Sequence, residues 1–288
     1  MNMKNRYKKN TNWYVINIKA RDVQTPQRYI DAFERLNEND PLIQLRGSRH
    51  ISVKSYYRSQ YLEQDNTPRT LYLKLSAYDI LNPDAFYDKK RKENVSLHWD
   101  PDIVANEKEV ELIFVPRVHR AVFRVSTSIS LNYIVKYFVE ALRIVEGEEL
   151  FDVHVVKDHD IIEKILTSYE VYKVDADISF SNADRSSGFH KLLDDKLRKA
   201  KASRTKMTFV GSKDQPLGTE EDGMIAAVVG ISESNGSVIA RVKETQNSKV
   251  TTIKTQDYPL KLSVSLRDRE DDYTDLYNDL ITKFGNNG

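Results

Sequence analysis

Seven lysines and arginines fall within KLLDDKLRKAKASRTK, residues 191–206, against two acids, Asp194 and Asp195. A helix with that surplus can track a phosphate backbone, because each neutralised phosphate releases condensed counterions. The candidate contacts are Lys191, Arg198, Lys199, Lys201, Arg204 and Lys206. Leu192, Leu193 and Leu197 supply an inward stripe, so an ordinary solvated helix face has the same pattern. A second basic stretch, RGSRHISVKSYYR, covers residues 46–58 and extends to Tyr61. With Ile51 and Val53 pointing inward, His50, Lys54, Tyr56 and Arg58 share the other face of a strand. Cations beside a stackable ring are how single-stranded nucleic acid is held, and Arg46 and Arg49 extend the patch. The alternative is an edge strand whose charges discourage aggregation.

One constellation resembles an enzyme site. Asp152 and His154 are spaced i, i+2, as are Asp175 and Asp177. Each pair emerges on one face of a strand, and if the two strands were neighbours four ligands could meet around a divalent cation. Such an ion activates water for phosphodiester cleavage. The same spacing recurs at Glu109 and Glu111, where alternation along a half-exposed sheet explains it without a metal. A two-residue hairpin about Pro116-Arg117 would set Arg124 opposite Glu109 and Arg120 diagonal to Glu111, which assigns these arginines to cross-strand ion pairs. His50, His98, His119, His159 and His190 lack metal-ligand spacing, and His154 and His159 do not share a helix face. Serine-hydrolase elbow, Walker loop, dinucleotide fingerprint and zinc-protease motifs are missing.

The elements that must carry these residues follow from periodicity. Residues 13–18 alternate as a strand behind a basic arm, and Thr25-Pro26 caps a helix bearing Ile30, Phe33 and Leu36. Residues 42–57 and 70–78 read as strands, and 82–101 as an exposed loop holding the run Lys89–Lys92. From 109 to 180 the order is β-β-α-β-α-β; its clearest helix is capped by Ser130 and closed by Gly147. The type of the apolar run 224–231 stays open, three short strands follow, and a helix with Leu276, Leu280 and Phe284 ends the chain. The expected class is α+β, mostly antiparallel sheet with helices packed on one face. A weak boundary near residue 182 divides an α+β domain, 1–182, from a smaller α+β region, 183–288, if the two are not continuous.

Composition supports a globular chain: 288 residues, 40% hydrophobic and 30% charged. The absence of cysteine removes disulfides, thiolate metal sites and cysteine nucleophiles, and fits a reducing, cytoplasmic setting. No apolar stretch is long enough for a signal peptide or membrane span, and a net charge of +1 makes any electrostatic argument local.

Three stretches carry a resemblance: Asp177-Ile178-Ser179-Phe180-Ser181-Asn182-Ala183-Asp184 before the basic helix, Ala226–Gly230 before Asn235-Gly236-Ser237-Val238, and Thr255-Gln256-Asp257-Tyr258-Pro259-Leu260. This succession resembles the bacterial domain-of-unknown-function family numbered 4747 over nearly the whole chain. A weaker similarity in layout connects it to the phage exclusion protein RexA, which binds nucleic acid. The resemblance implies an accessory protein of phage exclusion or antiphage defence and supplies no catalytic residues. The expectation is therefore a non-enzymatic protein that binds DNA or RNA, without cofactor or membrane, as a homodimer or with a defence-system partner. The alternatives are a nuclease requiring a divalent metal, and an interaction subunit of a defence complex.

Overall fold

A computed structural model describes residues 9–124, 129–147, 150–179, 195–197, 199–200, 202–266 and 273–285. Its core element is β1 (Lys9–Ala20), whose twelve residues pair on both edges. One edge takes β8 (Arg120–Arg124); the other takes β14 (Lys261–Leu266) and then β9 (Phe151–Val155), end to end. The antiparallel sheet continues from β8 through β7 (Ala105–Val115), β4 (Leu71–Asp79) and β3 (Arg49–Arg58) to the edge strand β2 (Ile43–Arg46). Gly47, with φ at 57°, makes the tight β2–β3 turn in the left-handed region that glycine enters without a Cβ clash. A small hairpin, β5 (Phe86–Asp88) and β6 (Glu93–Val95), lies within the excursion between β4 and β7.

Period-two alternation gives the large sheet two buried faces. Ile16, Ile18, Leu73, Phe114 and Phe123 meet α1 (Pro26–Asn39) and α2 (Leu131–Glu146), where Phe33 stacks on Phe114 at 4.3 Å between ring centroids. Thr25 and Ser130 cap these helices as their sequences suggest. Val15, Tyr72, Ile113 and Val122 point the opposite way, against the last helix, α5 (Thr274–Phe284). The α+β class and the β-β-α-β-α-β succession are present, but helices cover both faces, because both faces of β1 and β8 are apolar where these two strands meet.

A second antiparallel sheet has the order β11-β10-β12-β13, from Thr205–Val210, Glu170–Ile178, Gly236–Lys243 and Thr251–Lys254. Its inner face packs on α3 (His159–Leu166) and α4 (Met224–Asn235). The untyped apolar run is thus helix α4. It touches β10 and β12 on one side and β9 and β1 on the other. A helix enclosed between two sheets is apolar all round, so its sequence shows no amphipathic period. The second sheet takes β10 from before residue 182, and β14 and α5 return to the large sheet.

Candidate functional site

Antiparallel pairing places Asn17 opposite both His154 and Arg120, and Lys19 opposite Asp152. Since Ile16, Ile18 and Ala20 occupy the helix-covered face, these polar side chains emerge on the face turned toward α4 and the second sheet. Lys19 is 0% exposed and Asn17 1%. Such burial demands partners. The Asn17 amide donates to the Ser234 carbonyl at 3.2 Å and to Asn235 Oδ1 at 3.0 Å, and Arg120 donates to Asn17 Oδ1 and lies 4.7 Å from the Phe284 ring centroid. Arg21, directly after β1, grips Asp152 with two parallel bonds of 2.6 and 2.9 Å. The two sheets therefore meet through a polar layer rather than through oil alone.

A cleft of about 240 Å³ opens at the edge of this layer. Asp152, His154 and Ser179 lie in its buried part, with Ser179 Oγ 3.1 Å from His154 Nε2. Arg21, Arg143 in the last turn of α2 and Arg204 just before β11 line it, along with Phe151 and Val139. Burial first, then Lys157, holds His154 down at about 4, with Arg204 and Lys19 acting in the same direction and only Asp152 against them. The ring is neutral near pH 7. Lys157 is itself 3% exposed, donates from Nζ to the Gly236 carbonyl, and is pushed down by burial to about 7.

The four proposed metal ligands do not converge. Asp152 and His154 are on β9 in the large sheet, and Asp175 and Asp177 are on β10 in the second. Asp152 is engaged by Arg21, Asp177 by Arg204, and Asp175 by Lys173 at 2.7 Å and Thr208 at 2.8 Å. Among the described residues no group of three or more histidines and acids is placed to hold a metal ion.

The basic strand also differs from its expected form. A register shift between Val53 and Ser55 leaves Lys54 unpaired in the ladder and turns Tyr56 inward against the large core. One extra residue inverts the alternation beyond it. Tyr57 takes the outer face and stacks on Tyr72 at 4.5 Å. Lys54 bonds Glu107 at 2.8 Å and also Glu109, Arg58 pairs with Glu34, and Arg49 donates to the Asn106 carbonyl at 2.6 Å. Arg46 is exposed at the end of β2. Of the basic helix, Lys191, Arg198 and Lys201 lie outside the described residues; Lys199 is exposed at a helical position, and Lys206 is on the exposed side of β11, 3.8 Å from Asp177.

The hairpin register is corrected as well. A 3-10 turn over Pro116–Val118 and a left-handed His119 lengthen the connection, so Val115 pairs with Arg120 and Leu112 with Phe123. On its other edge β8 sets Arg124 opposite Trp13 of β1, with its guanidinium 5.3 Å from the indole ring, and Arg120 is in the buried layer rather than in a surface ion pair. Arg21, Arg143, Ser179 and Lys157 were missed by sequence reasoning. Only the polar residues interrupting β1 at Asn17 and Lys19 hinted that the second face was special.

Fold and site together define an α+β protein of two antiparallel sheets joined by a buried polar layer, with an arginine-lined cleft at the junction. The chain belongs to the family described as Domain of unknown function (DUF4747), whose model matches residues 9–282. No curated protein matches it. Among the described residues no helix is long and apolar enough to cross a membrane.

Proposed function

We infer that the protein is a non-enzymatic nucleic-acid-binding accessory factor of bacterial antiphage defence or phage exclusion, working in the cytoplasm. The observation that carries the binding is the surplus of cations around one cleft. Arg21, Arg143, Arg204 and neighbouring Lys206 face Asp152 and Asp177, leaving two positive charges in excess, with Lys19 and Lys157 buried behind. In sequence the cations continue upstream of Arg204 with Lys199, which is exposed and offers a further phosphate contact. The ion-paired 46–58 strand contributes less to this reading. The ligand is DNA or RNA, and a second copy of the chain or a defence-system protein completes the working assembly.

The test is fluorescence anisotropy with labelled single- and double-stranded DNA and RNA across a salt series. Lys199→Glu with Lys206→Glu removes two phosphate contacts and lowers the log–log salt slope by about 1.5–2. An unchanged slope in the double variant would remove the segment from the interface, and absence of binding to all four ligands would remove the function.

A further inference from the structure

The run Lys89-Lys90-Arg91-Lys92 sits at the tip of the β5–β6 hairpin, apart from the cleft. This hairpin is a two-stranded sheet by itself, and no residue from Tyr78 to Glu109 is buried, so the ribbon stands clear of the body instead of packing on it. Its tip is held by its own bonds. The Lys92 N–H closes the turn on the Asp88 carbonyl at 2.7 Å, with Lys92 in the left-handed region at a φ of 57°. The Asp88 carboxylate accepts from the Lys90 and Arg91 N–H groups at 2.8 and 2.9 Å. An aspartate bonded to its own turn in this way presets the loop.

Both acids of the tip are engaged. Asp88 serves the turn and lies 3.6 Å from the Arg91 guanidinium, and Glu93 lies 3.7 Å from the same group. Lys89, Lys90 and Lys92 are exposed and have no ion-pair partner among the described residues. The remaining acids of the excursion, Asp84, Asp100 and Asp102, belong to the connections before β5 and after β6. Three such lysines make a local positive tip on a chain whose net charge is only +1. The two faces of the ribbon differ as well. Phe86 pairs with Val95, and Trp99 meets Phe86 edge-on at 5.4 Å between ring centroids, which leaves that face half-buried. Tyr87 pairs with Asn94 on the opposite face, and both are exposed, Tyr87 at 58%.

A ring and an amide beside a set of lysines have the chemistry of a groove reader: lysine meets phosphate as a point charge, and asparagine offers a donor and an acceptor to a base edge. Two strands about 4.8 Å apart fit the roughly 12 Å major groove of B-DNA, whereas the deep, narrow major groove of duplex RNA does not admit them. We propose that the β5–β6 hairpin enters the major groove of duplex DNA, with Lys89, Lys90 and Lys92 on the flanking phosphates and the Tyr87–Asn94 face against the base edges. This rests on the nucleic-acid reading and adds to it the form of the ligand and a contact apart from the cleft.

The experiment measures binding of the full chain to DNA and RNA duplexes of one sequence across a salt series. Lys89→Gln, Lys90→Gln and Lys92→Asn together remove three phosphate contacts, and asparagine keeps the left-handed position of the turn. The log–log salt slope is expected to fall by about 2.7 on duplex DNA and by under about 1 on duplex RNA, whose groove the ribbon does not enter. The charge-preserving pair Lys89→Arg and Lys90→Arg restores both of their contacts. Tyr87→Ala with Asn94→Ala weakens duplex DNA binding by about fivefold or more at an unaltered salt slope, which loss of charge alone cannot produce. An unchanged DNA slope in the triple variant overturns the hairpin contact and leaves the cleft reading standing. Equal losses on both duplexes, or displacement of the DNA by polyglutamate at equal charge, overturn the groove and make the tip a general anion contact. No binding of any nucleic acid overturns both readings.

Discussion

Replacing Lys157 tests how the two sheets are joined. Its ammonium is 3% exposed between β9 and the start of β12, with the Gly236 carbonyl as acceptor and Glu233 as the charge that partly offsets burial. Burial lowers its pKa from 10.5 to about 7. Between those two values the unfolded chain holds a proton that the folded chain has released. Stability therefore rises with pH through that window, by up to about 1.4 kcal/mol per pH unit and about 5 kcal/mol in full. Below about pH 7 both states are protonated and the whole penalty is present; above about pH 10.5 it is gone. Lys157→Met keeps the length of the side chain and removes the charge. The variant is expected to exceed wild type in stability at about pH 6 and to lose that advantage steadily toward about pH 10. At the alkaline end it falls slightly below, by about 1 kcal/mol for the lost hydrogen bond. Urea unfolding of both proteins across this range gives the difference directly, and tyrosines raised by burial, such as Tyr29, cancel in it. A difference constant with pH to within about 0.5 kcal/mol would refute the burial of a charged lysine at this junction.

Three further outcomes are expected. His154 titrates at about 4 when folded against 6.5 when free, so its contribution, about 3 kcal/mol, is present above pH 6.5 and lost as pH falls toward 4; His154→Asn flattens the acid limb of stability between those values, and an unaltered limb counts against the assignment. Asp152→Asn removes the charge that Arg21 grips in a site where the carboxylate is 8% exposed, and costs about 3 kcal/mol in denaturant unfolding. Adding Arg21→Met recovers much of that loss, and additive losses in the double-mutant cycle would show that the two side chains do not interact. In Gly236→Ala the new Cβ meets the Asp177 carbonyl oxygen and lies 2.7 Å from the Ile178 Cα. Backbone cannot step aside as a side chain does, so the midpoint falls by an equivalent of about 1–3 kcal/mol, and a silent substitution would contradict the β10–β12 register.

Much of the fold is legible in the sequence because local rules suffice for it. Thr25-Pro26 and Ser130 start their helices by supplying acceptors for free N–H groups, and Gly47 permits its turn. Alternation identifies the strands, and the motif succession identifies the family. The reading weakened where one residue changed the count. The irregularity at Lys54 reversed the facing of Tyr56, and the 3-10 turn after Val115 shifted the hairpin so that Phe123 faces Leu112 rather than Val110. Both depend on how a loop or bulge closes against its neighbours, which a period of two cannot encode.

The site shows the same division more sharply. The sequence by itself determined that Asp152 and His154 stand on one face of their strand, since successive side chains in a strand alternate. It also determined the basic character of 191–206. Only the tertiary structure decided that this face is covered, because α4 arrives from more than two hundred residues away to bond Asn17. The same packing brings Arg21, Arg143 and Arg204 around one volume, although no spacing in the chain relates them. Convergence of distant residues is decided by which faces bury one another, and the large apolar faces of the two sheets set that arrangement.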